Sequence, residues 1–455
     1  MSLTDRTRSV QTAAFLAAIL SLAGLASCAG GTSPSLDQTA RETLAGPDMA
    51  ALVVPAAALR HPVLNPVVLS PNLPLGPDQV AIIAVLNNPD LKAARARARI
   101  ADAQALTAGL LPDPVIGVSG DFRQSGPDLG NGWAAQVGYE LTALRDHGLM
   151  VKQARAAQAQ VRLDLGWQEW LVAGQARILA GRVQAFSRIA DLADRTARDA
   201  ARTLEAAGAA AREGDLKVDD LTAARSTLLE AEDKAAQGRR DLLGARLDLN
   251  ALLGLKPQTQ LSLVAGAPRQ PLPDPEVLFA AASTRRLDLL ALRAGYDSQS
   301  VALRKAVRDR FPSLQLGLAR ATDTANNQTL GPSIALSLPL WNRNRGAIAE
   351  AAATRDALRS DYAARLFQTR SDITELVQMI AISRRQRDAE ADKVAALQRH
   401  AEASDVAAAR GDLSQSAARA TRQAARDRLA SLITLDQSLL EQTVSLELAT
   451  GGPLP

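Results

Sequence analysis

Apolar residues recur at steps of three, four and seven along a proline-free stretch from about 149 to 214. Val161, Leu165, Val172, Leu179, Val183, Phe186 and Ile189 mark this seam. The spacing predicts one helix of roughly sixty residues, about 90 Å long. A second proline-free stretch, from about 346 to 410, predicts another rod. Both rods end at the same triplet, Gly214-Asp215-Leu216 and Gly411-Asp412-Leu413. Glycine can close one helix in the left-handed conformation, and aspartate can cap the next. Shorter helical patterns follow, over about 216–253 and 413–448. Each rod is therefore expected to fold back as an antiparallel hairpin with an exposed tip.

Upstream of each rod the period changes from 3.6 to two. Four strands are expected, at about 114–123, 133–141, 313–322 and 332–340. On one face of each lie Ile116, Val118 and Phe122; Trp133, Val137 and Tyr139; Leu314, Leu316 and Leu318; and Ile334, Leu336 and Leu338. Small or polar residues alternate with them, and the apolar faces read as broken only by Gly120. Phe122, Trp133, Tyr139, Phe311 and Trp341 lie in or beside the strands, as in an interfacial aromatic belt. A half-buried soluble sheet shows the same alternation. Lipid-facing strands with a wet opposite face are the other reading, and the aromatics favour it. Four strands cannot close a barrel across a bilayer, because open edges leave backbone groups without partners. Three copies supply twelve strands, within the known range.

The two halves match throughout. The tip glycines are 197 residues apart, and each is followed 40 residues later by another glycine, Gly254 and Gly451. Asp90-Leu91 and Asp288-Leu289 open corresponding helical runs. The expected plan, used twice, is helix, β-hairpin, long helix, turn, helix. The first repeat covers 77–255 and the second 276–451, with a linker at 256–275. The fold class is mainly α with a small membrane β-barrel part: a trimeric α-barrel plus a shared 12-stranded barrel.

Composition supports rods over compact domains. Apolar residues make up 47% of the 455, aromatics only 3%. Alanine and leucine thus carry the apolar share, as in long, closely packed helices. The 52 basic and 48 acidic residues give a net charge of +4, a mixed surface that excludes a nucleic-acid partner.

The N-terminus reads as a targeting segment over 1–27. Arg6 and Arg8 precede an apolar run, Ala13 to Leu25, that ends in Leu-Ala-Ser-Cys28. This tetrapeptide resembles the bacterial lipoprotein processing box, which implies a covalent lipid on Cys28. A cut elsewhere, with Cys28 a chance neighbour, is the alternative. Cys28 is the one cysteine in the chain. Residues 28–76, rich in Pro, Ser and Gly, are expected to form an extended arm.

The duplicated plan, together with LNNPDLKAARARARIADAQ, EGDLKVDDLTAARSTL and GPSIALSLPLWNRNRGAIAEA, resembles the TolC-like outer-membrane efflux proteins. It resembles above all the lipidated outer components of heavy-metal efflux systems. The resemblance covers about 78–450. It implies a homotrimeric channel-tunnel in the outer membrane of a Gram-negative bacterium, reaching through the periplasm. It implies two protein partners, a periplasmic adaptor (membrane fusion) protein and an inner-membrane pump. Gly214, Asp215, Leu216, Gly411, Asp412 and Leu413 fall where the family contacts its adaptor. Many relatives carry a ring of aspartates after the second tip glycine. Here that stretch is GDLSQSAARA, with Asp412 alone, whereas the first copy has Asp219 and Asp220. These three are the candidate periplasmic gate. Asp219 and Asp220 also suit a helix N-terminus without any gating role.

No enzyme, cofactor or metal site is expected. His61, His147 and His400 lack ligand spacing, and no HExxH, GxSxG or phosphate loop occurs. The expected function is passive conduction of exported solutes, heavy-metal cations among them. The same duct for drugs or a secreted polypeptide, and a periplasmic coiled-coil scaffold with a soluble sheet, are the alternatives.

Overall fold

The computed structural model describes residues 35–47, 49–70, 73–122, 124–125, 130–264 and 272–454. Cys28 and the targeting segment lie outside them. The chain divides into a unit ending at Gly46 and a large unit from Pro47 onward. The first contains helix α1, Leu36–Ala45, whose N-cap Ser35 accepts a hydrogen bond from the Gln38 N–H.

The large unit begins with a 3-10 turn, Met49–Leu52, and helix α2, Val53–Ala57. This part was expected to be an extended arm, but it packs. Leu52, Ala56, Leu69 and Leu75 are buried in a cluster with Val80, Ile83, Leu179 and Leu253. Its scattered apolar residues have no period of their own, because helices further along the chain supply the surface they cover. Leu75 and Leu263 form an isolated parallel bridge, so the 256–264 segment runs beside the arm.

Each repeat then unfolds in the same order. In the first, α3 (Pro77–Asn87) and α4 (Pro89–Gly109) precede β1 (Val115–Asp121) and β2 (Gly132–Glu140). Helix α5 (Leu141–Glu213) and helix α6 (Val218–Leu252) complete it. In the second, α7 (Pro275–Arg285) and α8 (Leu287–Arg308) precede β3 (Ser313–Thr322) and β4 (Gln328–Ser337). Helix α9 (Arg345–Arg410) and helix α10 (Gln415–Thr450) close the chain. The rods have 73 and 66 residues, or about 110 and 100 Å at 1.5 Å per residue. α5 is longer than expected because it starts directly from β2.

The helical run before the strands is two helices in each repeat, α3 and α4 broken at Asn88 and α7 and α8 broken at Arg286. The breaks allow the returning helices to stack beneath. Asn87 Nδ2 donates to Leu253 O (2.6 Å) and Asn88 Nδ2 to Leu252 O (2.8 Å), taking the free carbonyls at the α6 end. In the second repeat Arg285 Nε donates to Thr450 O (2.9 Å) and Arg286 Nη1 to Ala449 O (2.8 Å). One junction uses two amides and the other two guanidinium groups. The resulting strings stand in the order α6 with α4, then α5, then α10 with α8, then α9. Small residues let them close in: an added Cβ on Gly238 of α6 would sit 3.2 Å from Ala190 Cα of α5. The seam predicted for α5 is correct in placement. Leu179 and Val183 are buried, and Val172 and Phe186 pack on the same cluster.

Candidate functional site: the strand wall and the helical tips

The four strands form one antiparallel sheet in the order β1-β2-β3-β4. The two hairpins, 170 or more residues apart in sequence, therefore join through β2 and β3. Opposed residues point to the same face of a sheet, so the register decides whether the four apolar patterns coincide. They do. Tyr139, Leu316 and Ile334 form one row. Ile116, Val137, Leu318 and Pro332 form the next. Leu314 faces Leu336 below them. Trp133 lies on the same side, between Gly120 and Thr322.

This wall is uncovered. Ile116 is 75% exposed, Val118 61%, Ile334 66% and Leu336 59%. A soluble half-buried sheet would hide these side chains. The opposite face holds Gln136, Gln315, Ser119, Ser333 and Glu140, with Gly117, Gly138 and Gly317 among them. Phe122 and Leu338 fall just past the ends of β1 and β4 and are exposed.

Two details differ from expectation. β4 starts at Gln328 rather than near 332, because the 323–327 turn is tight: Asp323 accepts from the N–H groups of Ala325 and Asn327. Gly120 is also not the one interruption. β3 continues through Arg320, which pairs with Ala135 and Leu330 and so belongs to the apolar face. Thr322 and Gln328 end that face at the hairpin tips. Aromatics mark both ends, Phe122 and Trp133 near the tips and Phe311 and Trp341 near the helices; the last two are 65% and 86% exposed. Phe311 precedes Thr322 by 11 residues. At about 3.4 Å per residue and a strand tilt near 40°, the two girdles are roughly 29 Å apart.

At the far end of the rods the tips are near copies. Gly214 has φ 85° and ψ 4°, and Gly411 has φ 85° and ψ 1°. The Asp215 N–H donates to Ala210 O and the Asp412 N–H to Ala407 O, each at 2.9 Å, closing both helices identically. The aspartates do not cap the next helix, contrary to expectation. Lys217 and Ser414 hold the N-cap positions, and only Ser414 accepts from an N–H, that of Ala417 (3.2 Å). Asp215 and Asp412 are drawn instead into ending the previous helix. Leu216 and Leu413 are half-buried. Asp219 and Asp220 occupy the first turn of α6, exposed, where the helix dipole favours negative charge. Asp412 stands on the other hairpin, so the chain's own contacts do not gather the three into a cluster.

Between tips and strands, ion pairs link the repeats. Arg177 pairs with Glu447 and Arg182 with Glu441 (2.8 Å). Asp199 receives both Arg426 and Arg202. Desolvation raises the Asp199 carboxyl, and the two guanidinium groups outweigh this to hold it below its ordinary range. Arg195, Arg198 and Arg422 complete the lining of a roughly 420 Å³ cavity here. His61 fixes the arm: its Nδ1 accepts from Val63 N (3.1 Å) and Leu64 N (3.0 Å), so Nε2 carries the hydrogen given to Gly166 O (3.2 Å). Neither the Asp199–Arg426 pair nor the His61–Gly166 bond is legible in the sequence, since the partners are more than 100 residues apart and carry no motif. Among the described residues no group of three or more His, Cys, Asp or Glu could hold a metal. No described helix is long and apolar enough to cross a membrane.

No protein-family model matches the chain. It is 28% identical over 236 residues to the cobalt-zinc-cadmium resistance protein CzcC of Cupriavidus metallidurans, covering 51% of this chain and 54% of that protein. The match thus spans about half the length of this curated relative. Among solved structures it is similar to the Campylobacter jejuni CmeC outer membrane channel (TM-score 0.72, 15% identity, 83% of this chain and 86% of that one). It is likewise similar to the open state of the Neisseria gonorrhoeae MtrE outer membrane channel (TM-score 0.68, 16% identity, 82% and 88%). CusC, described for its transmembrane channel formation, aligns at TM-score 0.67 and 18% identity over 83% and 92%. The duplicated rods and the four-stranded sheet are therefore the fold seen in these outer-membrane channels.

Proposed function

We propose that this chain is the outer-membrane channel of a tripartite efflux assembly. The observation that carries it is the wall of the sheet: one continuous, uncovered apolar face on a sheet whose two edge strands, β1 and β4, have no strand partner among the described residues. Exposed this way in water, such a sheet would aggregate. In a bilayer the apolar face is solvated by lipid, and the edges are satisfied when β1 of one subunit pairs with β4 of the next. Three subunits close twelve strands. The girdle separation of roughly 29 Å fits a hydrocarbon core of about 30 Å. The polar face then lines a wet lumen, continuous with a tube of twelve helical strings through the periplasm.

The channel conducts passively, and an inner-membrane pump supplies the energy through a periplasmic adaptor that meets the Gly214 and Gly411 tips. Divalent heavy-metal cations are the cargo favoured by the likeness to CzcC. A conduit need not bind them tightly, since cargo must leave as readily as it enters. Acylation of Cys28 tethers the protein to the membrane, adding about 0.8 kcal/mol per buried methylene.

The test is a charge on the wall. Val137→Arg and Leu316→Arg each cost about 2–4 kcal/mol near the bilayer midplane. Both should abolish heat-modifiable trimers in outer-membrane fractions, while Gln136→Arg on the other face leaves assembly intact. Normal assembly of both wall variants would instead favour the scaffold. Cys28→Ala should abolish labelling by a fatty-acid analogue, and retained label refutes the acylation.

A further inference from the structure

Among the described residues, the apolar wall carries one charged side chain. Arg320 is exposed, and its hydrogen-bond partner among the described residues is Gln328 Oε1, at a long 3.5 Å. It sits in the row Val118, Ala135, Arg320, Leu330. The next row toward the hairpin tips holds Trp133, Thr322 and Gln328. Rows two residues apart are about 6.8 Å along the strand, or roughly 5 Å along the membrane normal at a 40° tilt. Arg320 therefore stands one step inside the girdle that Trp133 marks, where its stem can lie on apolar surface while the guanidinium reaches the interface. β3 is an inner strand, so pairing of the β1 and β4 edges between subunits leaves Arg320 facing lipid.

A guanidinium in hydrocarbon is costly, and the cost falls toward the headgroups. Desolvated, and with no carboxylate paired to it among the described residues, it calls for an anion there. Its planar fork of donors matches two oxygens of a phosphate, and the amide of Gln328 and the indole of Trp133 add neutral donors beside it. We propose that Arg320, flanked by Trp133 and Gln328, seats the phosphate of an outer-leaflet lipid headgroup, one seat per subunit. This rests on the channel reading, which sets which face meets lipid and which end faces outward.

The experiment titrates the detergent-solubilised trimer with lipid A bearing its phosphates, with the same lipid stripped of phosphate, and with inorganic phosphate. Bound lipid is counted by native mass spectrometry. The expected result is three phosphorylated lipids per trimer, about tenfold weaker binding by Arg320→Gln, and partial recovery by Arg320→Lys. Equal binding by Arg320→Gln, or by the phosphate-free lipid, overturns the seat. So does inorganic phosphate binding as tightly as the lipid, which would make it a free-anion site. Heat-modifiable migration of Arg320→Gln is read first. Loss of the barrel in the wild type would sink the channel and the seat together, whereas a sound barrel indifferent to the substitution sinks the seat alone.

Discussion

Arg426 of the second repeat donates to Asp199 of the first, and each lies 15 residues from its own tip glycine (199 to 214, 411 to 426). The duplication thus produces a clasp at equal height on the two hairpins. Asp199 also takes Arg202, while Arg195 and Arg198 of the same helix line the space beside it. Asp199→Asn should leave these guanidinium groups uncompensated and cost about 1–3 kcal/mol. Urea unfolding of the solubilised trimer measures the loss, and single-channel noise in planar bilayers should rise as the periplasmic end loosens. Unchanged values in both would show that the clasp is solvated and idle.

The closing glycines should be less replaceable than the tip glycines. Gly214 and Gly411 have open space where a Cβ would go, so alanine pays only the left-handed penalty of about 1–2 kcal/mol. At Gly254 an added Cβ would meet Asn87 O at 2.7 Å, and at Gly451 it would meet Arg286 Cα at 2.9 Å, on top of φ values of 63° and 72°. Gly254→Ala and Gly451→Ala are expected to cost about twice as much and to disturb the stacking of strings. A thermal-melting series of the four alanine variants ranks them.

The arm should loosen in acid. Burial holds His61 below its ordinary value near 6.5, with Glu169 opposing and Arg95 assisting. The folded state thus favours the neutral ring, and the unfolded state binds more protons between the two values. Docking is therefore complete above about pH 6.5 and weakens as pH falls through the lowered value. Protonation would also turn Nδ1 from an acceptor into a donor facing two N–H groups. Limited proteolysis near residues 58–66 should be faster at pH 5 than at pH 7.5. In His61→Gln that difference should vanish.

Gly181 of α5 leaves room for the Leu440 side chain of α10. A Cβ there would sit 2.1 Å from Leu440 Cδ2, and one on Gly174 would sit 2.6 Å from Leu448 Cδ2. Gly181→Ala should destabilise by about 1–3 kcal/mol through overpacking. Leu440→Ala in the same chain should recover most of it, a coupling that a double-mutant cycle reads directly.

Periodicity carried the rods, the hairpin tips and the apolar face of the strands, because each depends on local spacing that every residue in the element repeats. The register that aligns four strands into one wall depends on pairing β2 with β3 across two long helices, and spacing carries no record of that. Arg320 was hidden for a related reason: it lies inside the expected strand, but Leu314, Leu316 and Leu318 already mark the apolar face, and the alternation alone gives no role to a charge beyond them. The cap positions of Lys217 and Ser414 shifted because the Asp215 and Asp412 N–H groups complete the preceding helix first. The arm's docking through His61 depends on a carbonyl of Gly166, a group every residue possesses and no sequence can single out.

The bare margins of β1 and β4 mean that a single subunit is an unfinished object. It cannot enter lipid alone without stranding two rows of amide groups, and it cannot remain long in water with its wall uncovered. On the proposed reading, insertion and association are therefore coupled, and their yield depends steeply on subunit concentration. Dilution during biogenesis should divert subunits toward misfolded aggregates, rather than simply slow the arrival of channels.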